Sequence, residues 1–328
     1  MSAAKPAATR VPRWAGISAS LGIDLGASKA IIGLLDSSGA ILSRTKLDIR
    51  GARADKAALL DLVCVKAVEV LSAAGVTLKD VGFIGMGVPG TVDPVTHRVF
   101  APNLHWQDAE VDDVLLRCFG QRVHLVQDSR AAALAEYLQG AAQGEEIAAC
   151  LTLGSGIGSG IIIGGRIHQG AFNAAGETGH IIVEENGEPC ACGRAGCLEA
   201  YSSGLAIVRE ARKVAAWSDR LDIQKAEVVF ERAAAGDTDA LRIIDSVVRH
   251  LGIGIVNLVN ILGPSIVVLS GGMCSQEELL LTPVRKYVLR RAYLTILGGG
   301  ALRVEKALLG EDAPMIGAAL LYTGMERT

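Results

Sequence analysis

Four potential metal ligands crowd one Gly-rich stretch. It begins Gly176-Glu177-Thr178-Gly179-His180 and continues, after a short arm, as Cys190-Ala191-Cys192-Gly193-Arg194-Ala195-Gly196-Cys197-Leu198-Glu199. One imidazole and three thiols make up a Cys3His set of the kind that closes a tetrahedral zinc site. Reduced thiols or a disulfide are the other chemistries open to these residues. The odd total of 7 cysteines and the lack of a secretory leader weigh against a disulfide framework. Metal ligation would pin the loop at His180, Cys190, Cys192 and Cys197. The interleaved carboxylates, Glu177 and Glu199, would then be held still enough to read a small polar ligand.

Two more carboxylates stand beside turns or helix starts. Asp24 lies in an apolar run followed by Gly26-Ala27-Ser28-Lys29. A hairpin with an Asp and small residues can bring backbone amides to a phosphate, and the Asp can orient a magnesium-bound water. Asp128 ends the apolar run Val123-His124-Leu125-Val126-Gln127 and precedes a helix of strong formers. By spacing alone Asp24 reads first as a turn residue and Asp128 as an N-cap. Gly154-Ser155-Gly156-Ile157-Gly158-Ser159-Gly160, between two apolar runs, is either a hairpin turn or a loop whose amides face a phosphate. Asn103, in Pro102-Asn103-Leu104-His105-Trp106, carries donors and an acceptor that suit a sugar hydroxyl, and alone it reads as a loop Asn with an anchoring Trp.

These groups need a scaffold, and the pattern predicts one. Residues 21–25 and 30–35 read as a hairpin, with a turn at Asp36-Ser37-Ser38-Gly39 and a further strand from Ala40. Over residues 55–75, Leu59, Leu60, Val63, Ala67, Val70 and Leu71 share one helical face, with Gly75 as a C-cap. Strands are expected at 81–88, 123–127, 147–153, 161–163 and 265–270. Helices are expected at 129–140, 199–216, 226–235, 240–262 and from Glu311-Asp312-Ala313-Pro314 onward. Gly85, Gly87 and Gly90 match the dinucleotide fingerprint in spacing. Pro89 and Pro94 flank an extended segment where that motif requires a helix, so a Rossmann site is rejected.

With 328 residues, half of them hydrophobic, the chain can form two domains with substantial cores. A net charge of −3, with both signs dispersed, gives no basic footprint for nucleic acid or an anionic membrane. The apolar segment 251–262 is interrupted by Asn257 and Asn260 and reads as too short for a membrane span. The first twenty residues lack an apolar leader core and read as a flexible tail, so a cytoplasmic protein is expected.

Gly-Glu-x-Gly-His followed by Cys-x-Cys-Gly-x-x-Gly-Cys-x-Glu resembles the ROK family of sugar kinases and repressors. The likeness extends from about residue 21 to the C-terminus through separated motifs. Asp24-Leu25-Gly26-Ala27-Ser28-Lys29 resembles the family's Asp-x-Gly-Gly-Thr-Lys, with Ala27 for Gly and Ser28 for Thr. Pro102-Asn103-Leu104 resembles its sugar-binding segment, although Trp106 comes one residue early. Gln127-Asp128 stands where the family has Asn-Asp, and Gly154-Ser155-Gly156-Ile157-Gly158 resembles its Gly-Thr-Gly-Ile-Gly.

The resemblance implies an α/β, two-domain fold of the actin/hexokinase (ribonuclease H-like) type with an inter-domain cleft. Residues 21–126 and 311–328 would form the N-terminal domain, and 127–310 the C-terminal domain with the zinc loop. It implies transfer of the ATP γ-phosphoryl group to the 6-hydroxyl of a hexose, with Asp128 as general base. Sugar contacts fall to Gly90, Asn103, Gln127, Asp128, Glu177, His180 and Glu199. ATP with Mg2+ falls to Asp24, Gly26, Ser28, Lys29, Gly154, Ser155, Gly156, Gly271 and Gly272. The Zn2+ would be structural, held by His180, Cys190, Cys192 and Cys197, and the partners would be sugar, ATP and a second copy in a homodimer. Gln127 extends its amide by one methylene relative to the family's Asn, which points to a hexose altered near C3, such as the amino sugar kanosamine. The repressors carry an N-terminal DNA-binding module, and only about twenty residues precede the first strand here, fewer than such a module needs. A sugar-binding sensor with weakened catalysis is the alternative, motivated by Ala27 and Gln127.

Overall fold

The structure, a computed structural model, describes residues 17–217, 223–297 and 302–324. The tail expected over residues 1–20 lies outside the described residues as far as residue 16, and Ala19 and Ser20 already belong to a strand. The chain divides into two compact units. The first is Met1–Gly144, Gly160–Ala175 and Leu309–Thr328, and the second is Glu145–Ser159 and Gly176–Leu308. The expected boundary at 126/127 thus falls after Gly144, because the helix following Asp128 packs within the first unit.

The first unit opens with the hairpin of β1 (Ala19–Leu25) and β2 (Lys29–Asp36), then β3 (Ile41–Asp48), α1 (Lys56–Ala73) and β4 (Val81–Val88). A small antiparallel sheet of β5 (Thr91–Val92), β6 (Val99–Ala101) and β7 (Trp106–Ala109) follows, then α2 (Asp112–Phe119), β8 (His124–Gln127) and α3 (Asp128–Gln139). The main sheet has the order β3-β2-β1-β4-β8, with β1, β4 and β8 parallel. In α1, the six apolar residues that share a face in the sequence are the ones buried, and the Asp55 side chain accepts from Ala57 N and Ala58 N. Gly75 ends the helix at φ 68°, where Gly75 N donates to Ser72 O and Val76 N to Leu71 O, a Schellman closure. Helices α1 and α2 pack together, and a disulfide joins Cys64 to Cys118 across them, their Cα atoms 6.1 Å apart. The cysteine total that weighed against a disulfide framework therefore hid one pair, beside the three loop cysteines and the buried Cys150 and Cys274.

The second unit starts with the hairpin of β9 (Ile147–Leu153) and β10 (Ile157–Ile163); β10 runs on into the first unit, where β11 (Arg166–Ile167) pairs with its end. The loop expected through Gly160 closes sooner, at Gly156, because Ile157 is already in the strand and its N–H is bonded to Glu199. Then come α4 (Glu199–Ser202), α5 (Gly204–Arg212), α6 (Ala226–Ala234), α7 (Thr238–Leu262), β12 (Ile266–Ser270), α8 (Thr282–Arg291) and β13 (Arg303–Lys306). β12 lies parallel between β9 and β13. The single helix expected over 199–216 breaks at Ser203, which is extended (φ −88°, ψ 164°) and caps α5 through Ala206 N. Helix α7 is long and apolar enough by composition to cross a membrane. Ile244, Val247, Leu251, Ile255 and Val259 are buried among its neighbouring helices, so it is a core helix of this unit.

The chain returns to the first unit as α9 (Ala313–Ala319), which lies on the sheet face opposite the α1 core. Gly33, Gly22 and Gly85 are in register across β2, β1 and β4. A Cβ on Gly22 would collide with Met315 O, and one on Gly85 with Ala318 O. The glycine row lets the helix backbone lie directly on the sheet, and Gly317 in turn lets α3 approach at Ala131 O. Gly85→Ala is expected to cost about 1–3 kcal/mol through overpacking, seen as a lower urea midpoint with an unchanged slope. An unchanged midpoint would contradict this docking.

Candidate active site

In the first unit the carboxyl ends of three parallel strands meet, the usual place for a ligand in an open α/β sheet. Asp24 on β1 is in register with Gly87 on β4, and Val88 with Gln127 on β8, so Asp24, Gly87 and Asp128 are neighbours. A Cβ on Gly87 would lie 3.5 Å from Asp128 Cα and 3.7 Å from Asp24 Oδ1. Asp24 is buried, and its pKa is pushed from 3.8 up to about 8, first by loss of solvent and then by the negative charge of Asp128. Asp128 Oδ1 accepts from Ser129 N at 2.6 Å, which fixes the carboxylate at the start of α3. The Gln127 Oε1 atom is buried with no donor among the described residues.

The β1–β2 turn closes through Gly26 N to Lys29 O at 2.9 Å, and Ser28 O accepts from Ile49 N. Ala27 does not take a positive φ, so its methyl brings no backbone strain. The Lys29 ammonium is paired with Glu311 at 2.8 Å, and Lys46 joins the same carboxylate, holding the Glu311 pKa down at about 2. Gly90 turns at φ 101°, where a Cβ would collide with Phe100 O. Asn103 is exposed in a one-turn helix, Pro102–Leu104, anchored by the buried Leu104 and Trp106.

Sequence reasoning missed Arg130. Although charged, it is only 3% exposed; its guanidinium donates to Asn173 Oδ1, to Asn173 O at 2.9 Å and to Ala175 O at 2.7 Å. Asn173, at φ 55°, passes the link on through Nδ2 to Val92 O. The helix that begins at Asp128 is thereby tied to the segment leading toward Glu177 and to the strand after the Gly90 turn. The Arg two residues after the Asp was the available signal, but an exposed helix Arg looks the same in a sequence.

In the second unit the parallel strands β9 and β12 end at two Gly loops that abut. A Cβ on Gly271 (φ 95°) would collide with Leu153 O, whereas Gly154 and Gly272 face open space. The Gly154-Ser155-Gly156 turn is braced from behind, since Gly154 O accepts from Gly204 N at 2.8 Å and Ser155 O from Leu205 N at 3.3 Å. Glu199 Oε2 accepts from Ile157 N at 2.8 Å, and Cys190 Sγ lies 3.9 Å from Glu199 Oε1. Glu199 therefore links the Gly turn to the cysteine loop. Glu177 precedes the one-turn helix Thr178–His180, whose Thr178 is fixed by Ser159 Oγ.

His180, Cys190, Cys192 and Cys197 converge, their ligand atoms all within 4.8 Å of one another. Tetrahedral zinc with sulfur bonds of about 2.3 Å sets ligand edges of about 3.8 Å. The Cys190 Sγ to His180 Nδ1 distance is 3.7 Å and Cys192 Sγ to Cys197 Sγ is 3.6 Å. The residues thus fit a tetrahedral ion. Without one, burial, then the neighbouring thiols, push the Cys197 thiol up to about 12.

The ROK family profile matches residues 20–324. The glucokinase of Halalkalibacterium halodurans is 32% identical over 320 residues, covering 94% of this chain and 96% of that protein. The xylose repressor of Caldicellulosiruptor bescii is 28% identical over 307 residues, 90% of this chain and 76% of that protein. The crystal structure of a ROK family glucokinase from Streptomyces griseus, in complex with glucose and AMPPNP, superposes with a TM-score of 0.76 at 33% identity, covering 92% of this chain and 98% of that one. The chain has the actin/hexokinase-type α/β fold and belongs to the ROK family.

Proposed function

We propose that this protein is an ATP-dependent hexose kinase acting on the sugar 6-hydroxyl. The observation that carries the reading is the pairing of Asp24 and Asp128 at the ends of parallel strands, in a chain of this family. Asp128 takes the hydroxyl proton as the sugar oxygen bonds to the γ-phosphorus and the bond to the β-phosphate oxygen breaks, releasing ADP. Asp24 would hold the water shell of the Mg2+ that accompanies ATP, and that ion, when bound, would supply charge neutralisation at the phosphates. Gly26, Ser28 and Lys29 frame the phosphate turn of the first unit. Gly154, Ser155, Gly156, Gly271 and Gly272 offer backbone and open space to the nucleotide. Gly90, Asn103, Gln127, Glu177, His180 and Glu199 read the sugar.

The Gln127 Oε1, buried with no donor among the described residues, supports a sugar substituent that donates a hydrogen bond there, a hydroxyl or an amine, and the longer Gln side chain is what favours an altered C3. Kanosamine, with its amine at C3, is the proposed substrate beside glucose. The Cys3His set holds a structural Zn2+, the protein works as a cytoplasmic homodimer on small molecules, and nucleic acid is not a partner. ADP release with Mg-ATP across glucose, mannose, glucosamine, N-acetylglucosamine, N-acetylmannosamine and kanosamine tests the activity. Preference for kanosamine over glucose is expected, and a clear preference for unmodified glucose would remove the amino-sugar reading. Elemental analysis is expected to find one zinc per chain, lost in Cys197→Ser together with a fall in melting temperature. A metal-free protein of equal stability would remove the zinc reading. The second reading, a sugar sensor with weak catalysis, is favoured by the likeness to a xylose repressor. Calorimetric sugar binding without turnover on any of these sugars would select it.

A further inference from the structure

Strand β10 carries one polar side chain, Ser159, in the run Ile157-Gly158-Ser159-Gly160-Ile161-Ile162-Ile163. Ser159 is only 2% exposed. A hydroxyl buried in such a strand is destabilising unless it is hydrogen-bonded. Its partners lie on either side of Glu177. The Ser159 hydroxyl donates to Gly176 O, and Thr178 N donates to Ser159 Oγ at 3.2 Å. Thr178 Oγ1 stands 2.8 Å from the same oxygen. A hydroxyl has one proton and two acceptor sites. With its proton on Gly176 O, Ser159 meets Thr178 with both acceptor sites, so the whole hydrogen-bonding capacity of the side chain goes to the two residues that flank Glu177.

The same strand presses on the turn that follows. Thr178 and Gly179 are buried, and a Cβ on Gly179 would collide with Ile157 O. Gly176 enters the turn at φ 81°, and His180 N closes it by donating to Glu177 O at 3.0 Å. The backbone before and after Glu177 is thereby fixed to β10. Two residues earlier in the strand, Ile157 N donates to Glu199 Oε2 at 2.8 Å. Strand β10 therefore frames both carboxylates of the loop, one through its main chain and the other through Ser159.

We propose that Ser159 is a positioning residue for sugar recognition, which acts through Glu177. The role rests on Glu177 contacting the sugar, as in the proposed function. A buried serine is satisfied by a single nearby carbonyl. Ser159 instead reaches residues 17 and 19 positions further along the chain and holds the one between them on both sides. A carboxylate that distinguishes one hydroxyl from another must be held to within about 0.5 Å, and side chains behind it supply that constraint.

Amide exchange at Thr178, read by NMR, and binding of glucose and kanosamine, read by calorimetry, test this role in the full-length protein. Ser159→Ala is expected to speed exchange at Thr178 by about tenfold or more, since the buried N–H loses its acceptor. The same variant is expected to weaken sugar binding by about tenfold. ADP affinity without sugar, and kcat at saturating sugar, are expected to stay within about threefold of wild type, the pattern of lost ground-state binding. Thr178→Val keeps the side-chain shape without the hydroxyl and is expected to weaken sugar less than Ser159→Ala does. Thr178→Ser keeps the hydroxyl and is expected to bind sugar within about twofold of wild type. If Ser159→Ala does not fold, Thr178→Val and Thr178→Ser carry the comparison. Wild-type sugar affinity in both Ser159→Ala and Thr178→Val would overturn the role. Equal losses of sugar and ADP affinity with a lowered melting temperature would overturn it too, because the hydroxyl would then serve the fold alone. A wild-type protein that binds neither sugar would remove the sugar reading of Glu177 and this role with it, a result seen before any variant is made.

Discussion

Asp128→Asn is expected to lower kcat for sugar-dependent ADP release by about 10²–10⁴, the range for removing a positioned general base. The asparagine side-chain oxygen can still accept from Ser129 N in the first turn of α3, so fold and sugar affinity should be kept. The substitution therefore separates proton transfer from binding. Calorimetry should return a sugar affinity within a few-fold of wild type while turnover disappears. If turnover persisted at a tenth of wild type or more, Asp128 would be a binding residue and the base would lie elsewhere.

The second large effect concerns Asp24 and pH. Its carboxyl ionises at 3.8 in the unfolded chain and at about 8 in the folded one. Between those values the folded form binds the extra proton, so stability is highest at low pH in this window and falls as pH rises toward 8. The slope approaches about 1.4 kcal/mol per pH unit for a single fully shifted group. Asp24→Asn removes the buried charge. Without nucleotide, its urea midpoint should be flatter than wild type from pH 5 to 8 and should exceed it at pH 8. In the same variant turnover should drop by about 10²–10³, as when a preorganised electrostatic contact is lost. Mg-ATP should flatten the wild-type slope too, since a cation beside the carboxylate favours its ionised form. Parallel stability curves for the two proteins would show that Asp24 is not held protonated.

These two residues also show how far a linear reading reaches. Both were identifiable because a carboxylate at the end of an apolar run is conspicuous, and the strands themselves were legible from their apolar continuity. The buried face of α1 and its Gly75 closure were legible too, because periodicity and capping are local properties. Arg130 was not. Its burial depends on Asn173 and Ala175, which reach it from a distant segment, and composition assigns an arginine to solvent by default.

By itself, then, the sequence determined the principal strands and helices, the spacing of one His and three Cys and the carboxylates at the ends of apolar runs, because each is carried by neighbours along the chain, whereas the small sheet of β5–β7, α2, α8 and β13 went unread. Only the tertiary structure decided what the glycines do. Gly85, Gly87 and Gly90 share the spacing of a dinucleotide fingerprint, yet Gly85 admits the backbone of α9, Gly87 sits beside Asp24 and Asp128, and Gly90 makes a left-handed turn against Phe100. It also joined Cys64 to Cys118, drew α3 into the first unit and raised the Asp24 pKa. Each of these depends on distances between residues far apart in the chain, and local propensity does not set those distances.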